Sequence, residues 1–200
     1  MTRPPDAEPK GRFQSPEVRR RQILDAAARL AVEEGLDNTT IAEVAKAAGI
    51  AKGSIYLHYE SRQQLLAGLQ ADLWRQMLER PGQILVDDDL TWAAKLDAVV
   101  EHWVRFEFDR HDLYHAVFHT TAPDSDEPLD AARALLGDLI AAGAAAGEFN
   151  LDGLDHDVVL EFLLHGYVGP CFHHTNPDTA VVNVQQLFRR AVGAALTKAP

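Results

Sequence analysis

The stretch from Thr39 to Arg62, TTIAEVAKAAGIAKGSIYLHYESR, constrains the fold more than any other part of the chain. Ile41, Val44, Ala45 and Ala48 form one apolar stripe of 3.6-residue period, which predicts a short helix. Thr39 and Thr40 stand at its start, and Thr40 with Glu43 has the spacing of a capping box. Gly49 follows the last apolar residue and suits a turn through positive φ, with Ile50 plugging the corner. A second helix, about Ala51 to Tyr59, points Ile55 and Tyr59 inward. Lys52, Gly53, Ser54, Tyr56 and His58 then fall on or near its outer face.

That outer face offers a cation, a hydroxyl, a phenol and an imidazole, with a glycine for close backbone approach. These groups suit phosphate oxygens and base edges in a major groove, the geometry of a helix-turn-helix with the second helix as reader. On these residues, together with Leu65-Leu66, the stretch resembles the DNA-binding region of the TetR family of bacterial transcriptional regulators. The resemblance covers about a quarter of the chain. It implies a three-helix DNA-binding domain, a larger helical domain for effector binding and dimerisation, and double-stranded DNA as partner. It carries DNA-binding roles to Thr39, Thr40, Lys52, Gly53, Ser54, Tyr56, His58 and Arg62. Arg62 stands where many members have Lys and is expected to keep a phosphate contact.

A net charge of −11 argues against nucleic acid until its distribution is read. Residues 1–80 carry 12 Lys+Arg against 11 Asp+Glu, and the remaining 120 carry 7 against 19. The acidity sits in the rear of the chain, leaving room for a cationic face at the front. No run of apolar residues is long enough for a membrane span. The N-terminus lacks an apolar signal core, and the single Cys171 forms no internal disulfide, so a cytoplasmic protein is expected.

Residues 1–14, with three prolines, read as a disordered arm in which Lys10 and Arg12 reach a groove or touch nothing. Ser15-Pro16-Glu17 starts a helix with Ile23, Ala27, Leu30 and Ala31 inward, ended by Gly35. Arg19, Arg20 and Arg21 near its start are either phosphate ligands or solvated charges. Ser61 to Gln64 opens a long helix through Leu65, Leu69, Leu73 and Met77, expected to end at Pro81-Gly82. Residues 83–90 are an acidic connection. An aromatic-rich helix runs from Thr91 through Trp103 and Phe108, with a break expected at Asp109-Arg110 and a further short helix after it. Two more helices, about 128–147 and 155–172, carry Gly and Ala where backbones approach, and Pro170 should kink or stop the second. A last helix, about 178–196, places Val181, Val184, Leu187 and Phe188 inward and Arg189-Arg190 outward.

The expected fold is all-α, with an arm at 1–14, a helix-turn-helix domain at 15–62 and an effector-binding and dimerisation domain at 63–200. Small residues along 128–147 and 155–172 suit either packing within one subunit or a homodimer seam; the resemblance favours the homodimer. The effector pocket is expected among His102, Trp103, Phe106, His115, Phe118, His119, Phe162 and His165, an apolar set with a few polar anchors. His111, His115 and His119 share one face at i, i+4, i+8, so a metal-responsive regulator is the alternative. A helical interaction module without DNA contact is a further one. No zinc-hydrolase pair, nucleotide-binding glycine loop or nucleophile elbow is present, so neither an enzyme nor a cofactor is expected. Together these readings describe a ligand-responsive regulator, expected to be a repressor acting as a homodimer on a pseudo-palindromic operator.

Overall fold

A computed structural model describes residues 15–120, 127–173 and 176–196; the expected arm lies outside them. Every regular element in these residues is helical. The chain divides into two compact units, the first ending at Leu66 and the second beginning at Ala67.

In the first unit, α1 (Pro16–Glu33) starts as its sequence dictates. Ser15 Oγ accepts from the Val18 amide at 3.3 Å and Pro16 occupies the first turn. Its buried stripe, Ile23, Leu24, Ala26, Ala27, Leu30 and Ala31, packs on α2 (Ile41–Ala47). A 3-10 turn, Leu36–Asn38, connects them. Thr40 caps α2 by accepting from the Glu43 amide at 3.2 Å. The reciprocal half of the capping box is not made: the Thr40 amide already donates to Asn38 O at 2.9 Å, and Glu43 pairs with Lys46 instead. At the other end of α2, Gly49 takes φ 66°. The Gly49 amide donates to Lys46 O and the Ile50 amide to Ala45 O, which closes the helix with both carbonyls satisfied.

The reader, α3 (Lys52–Ile55), is shorter than the expected 51–59. Ala51 offers no side-chain cap and the run contains glycine, β-branched and aromatic residues, all poor helix formers. The chain continues as a tight turn in which the His58 and Tyr59 amides both donate to Ile55 O. Ile55 and Tyr59 are buried as expected.

In α4 (Arg62–Leu85) the helix runs through Pro81 rather than ending there. A proline cannot donate to the carbonyl four residues back, here Met77 O. Trp103 Nε1 donates to that oxygen at 3.3 Å, so a tertiary partner replaces the missing one. Then α5 (Trp92–Thr120) passes without interruption through Asp109-Arg110, which are exposed and bring neither glycine nor proline. Its first turn is capped from afar: Glu148 accepts from the Trp92 and Ala93 amides at 3.1 and 3.0 Å.

Around α5 pack α6 (Glu127–Ala145), α8 (Val168–His173) and α9 (Pro177–Ala191), and α7 (His156–Gly166) packs on α6, α8 and α9. Pro170 does not end the preceding helix. The break falls at Tyr167, and Pro170 sits in the first turn of α8, where a missing amide costs nothing. Arg189 is buried rather than outward, its guanidinium forked onto the Asp97 carboxylate at 2.8 and 2.6 Å. No described helix is long and apolar enough to cross a membrane.

Candidate nucleic-acid interface and effector unit

The first unit holds its reader with three links. Gln22 Nε2 donates to Ala48 O at 2.6 Å, tying α1 to the corner before α3. Arg20 lies over the Tyr59 ring, 5.3 Å from its centroid, adding a cation–π contact behind the reader. Arg62 donates from Nε to Thr39 O at 3.0 Å and from a terminal nitrogen to Leu36 O, clamping the entry to α2.

These links sort the expected DNA-binding residues. Lys52 and Gly53 are exposed, and no atom lies within 4 Å of where a Gly53 Cβ would stand. Tyr56 is 47% exposed, and Ser54 and His58 are half-buried on the same short segment. Thr40 is exposed at the α2 N-terminus. Two expectations need correction. Thr39 is 0% exposed and its hydroxyl donates to Gly35 O at 3.1 Å, so its side chain is structural. Arg62 is half-buried and gives Nε and one terminal nitrogen to two backbone carbonyls, so it positions the motif. A surface cleft of about 590 Å³ beside α1 and the end of α2 is lined by the charged Glu17, Arg21, Asp25 and Arg29 together with Val18, Gln22, Ala47 and Ala48.

The second unit places the expected pocket residues in three settings. Trp103 is fully buried and stacks on Tyr167 with centroids 5.7 Å apart, and Phe106 packs half-buried against the same core. His102 is half-buried with Nε2 3.3 Å from Gln76 O; burial lowers its pKa and holds it neutral. The side chains of His115, Phe118 and His119 lie outside the described residues. Phe162 and His165 are corrected: both are exposed on α7, Phe162 at 64%, so in this chain they face outward and line no core cavity. His165 Nε2 lies 3.6 Å from Glu161, at the solvent-facing pair of Glu161 with Arg133. Among the described residues no three His, Cys, Asp or Glu side chains come together as metal ligands.

One group was missed in the sequence. Glu107 is 2% exposed, with His111 Nδ1 3.7 Å from its carboxylate. Burial, reinforced by the Glu107 charge, pushes Tyr114 and Cys171 up to about 12 and Tyr167 well above its ordinary value. All three stay protonated near neutrality, while the His111 imidazole stands against the buried carboxylate itself. The signal was present: Glu107 continues the stripe of Val100, Trp103 and Val104 at helical spacing.

The profile of the bacterial regulatory proteins of the tetR family matches residues 23–69. The HTH-type transcriptional repressor KstR2 of Mycolicibacterium smegmatis is 30% identical over 158 residues, covering 74% of this chain and 75% of that protein. KstR2 of Rhodococcus jostii is 36% identical over 104 residues, so this chain spans about half of that relative, 47% of its length. Among solved structures, the transcriptional regulator FadR from Bacillus subtilis in complex with stearoyl-CoA superposes with a TM-score of 0.68 at 22% identity, covering 88% of this chain and 98% of FadR. With a helix-turn-helix unit, a helical second unit and this similarity to a repressor across three quarters of both chains, the protein belongs to the TetR family of bacterial regulatory proteins.

Proposed function

We propose that the protein is a ligand-responsive transcriptional repressor that acts as a homodimer on a pseudo-palindromic operator. The carrying observation is the reader segment. Lys52 and Tyr56 stand free on it while Ile55 and Tyr59 lock it to the scaffold. The first unit is then the DNA-binding domain. Lys52 takes a phosphate, and Ser54, Tyr56 and His58 share phosphate and base contacts in a major groove, with Gly53 allowing close approach and Thr40 offering its helix end.

The second unit is the effector and dimer domain. Its effector has a largely apolar body, in keeping with the stearoyl-CoA held by the structural relative. His102 and the Glu107–Tyr114 region offer polar anchors beside Trp103 and Phe106. Such a ligand lowers DNA affinity by its preference for the non-binding conformation and by nothing else.

For the dimer, the described residues of α6 expose no large apolar side chain. Part of its small-residue content packs within the chain, since a Cβ on Gly143 would run into the Phe149 ring, while Ala131, Ala134, Ala141 and Ala145 are exposed but offer little apolar area. By contrast, α7 exposes Val158 and Phe162, and α9 exposes Val182 and Leu187. We therefore move the seam from 128–147 with 155–172 to α7 with α9.

The test is a gel shift of the pure protein on the DNA upstream of its own gene. A specific complex is expected, and Lys52→Ala should weaken it on every duplex while flattening the salt slope by about one unit. A protein that retards no duplex above background, or is monomeric at the concentrations used, refutes the reading.

A further inference from the structure

We propose that Leu57 is a base-reading residue whose side chain packs against the 5-methyl group of a thymine in the major groove. The inference rests on the DNA-binding reading above and extends it to one specificity contact. Leu57 is 82% exposed, between Tyr56 at 47% and the half-buried His58. Its inward neighbours, Ile55 at 0% and Tyr59 at 2%, already fill the scaffold, and Leu57 is two residues from each.

A lone exposed leucine is ordinary on a protein surface. This one stands in the segment that carries the groove-facing groups, and its chemistry restricts what it can meet there. It has no donor or acceptor, so it bonds neither phosphate, sugar nor the polar atoms of a base. The thymine C5-methyl is the apolar group that base pairs present in the major groove. Contact with it removes both apolar surfaces from water, which for one methyl amounts to about a fourfold gain in affinity. A cytosine, or a uracil lacking the methyl, forfeits that gain.

The experiment uses the full chain. Duplexes are first selected from a randomised library, and each thymine of the selected site is then replaced singly by deoxyuridine. We expect one thymine per half-site at which the wild type binds the uracil duplex about fourfold more weakly. In Leu57→Ala that difference disappears while the response at other positions stays. Leu57→Met, which keeps an apolar contact, should retain part of it. A merely structural role would weaken all duplexes alike and leave thymine-to-uracil ratios unchanged. Uracil substitution without effect at every position, or an equal effect in Leu57→Ala, overturns the proposal and leaves the DNA-binding reading standing. Failure to enrich any duplex overturns both.

Discussion

Trp103 and Pro81 should be energetically coupled although they lie on different helices. Pro81 leaves the Met77 carbonyl without its intrahelical partner, and the Trp103 indole supplies the hydrogen bond at 3.3 Å inside the core. In Trp103→Phe that carbonyl loses the indole donor inside the core. An unsatisfied buried acceptor costs about 1–3 kcal/mol, in addition to the lost ring area. In Pro81→Ala the new amide can donate to Met77 O along the helix, so the same Trp103→Phe change then costs only the packing. The lost ring area appears in both backgrounds and cancels in the double-mutant cycle, leaving a coupling of about 1–2 kcal/mol. Urea unfolding of the four proteins, followed by far-ultraviolet circular dichroism to avoid dependence on tryptophan emission, measures it. A coupling below about 0.3 kcal/mol, the range found for independent sites, would refute the account of how α4 tolerates its proline.

Other outcomes follow from single groups. Arg62→Met removes the clamp on Leu36 O and Thr39 O and should lower the stability of the first unit by about 1–3 kcal/mol; Arg62→Lys should rescue little, because an ammonium lacks the fork, and denaturant midpoints decide both. Phe162→Asp should convert the dimer to monomer without unfolding it, read by light scattering after size exclusion; an unchanged mass sends the seam elsewhere. His102 has a folded-state pKa below its ordinary 6.5. The unfolded chain therefore binds more protons between the two values, so stability is lost as pH falls from about 6.5 to the lowered value, and it is fully present above. Melting temperatures of the wild type and His102→Gln should converge on acidification, and curves that stay parallel would count against a neutral buried imidazole.

The local signals in this sequence were strong where the backbone itself sets the structure. Thr40, Gly49 and Asp155 mark helix ends because a cap or a positive φ is a property of one residue and its immediate neighbours. Ile55 and Tyr59 face inward as their four-residue spacing suggests, although the helix ends at Ile55 and a tight turn carries Tyr59 to the core, and the reader surface follows as what remains. Only the tertiary structure decided the cases in which a distant group overrides a local preference. Trp103 lets α4 run through Pro81, Glu148 caps α5 across a gap of more than fifty residues, and Asp97 draws Arg189 into the core. The same holds for function. The family resemblance assigns Arg62 to phosphate and the sequence alone puts Phe162 in a pocket, whereas the fold turns the first onto backbone carbonyls and the second onto the outer face of its own subunit. Side-chain type is written in the sequence, but the partner that satisfies a buried donor or charge is chosen by packing, and that choice separates a contact residue from a scaffold residue.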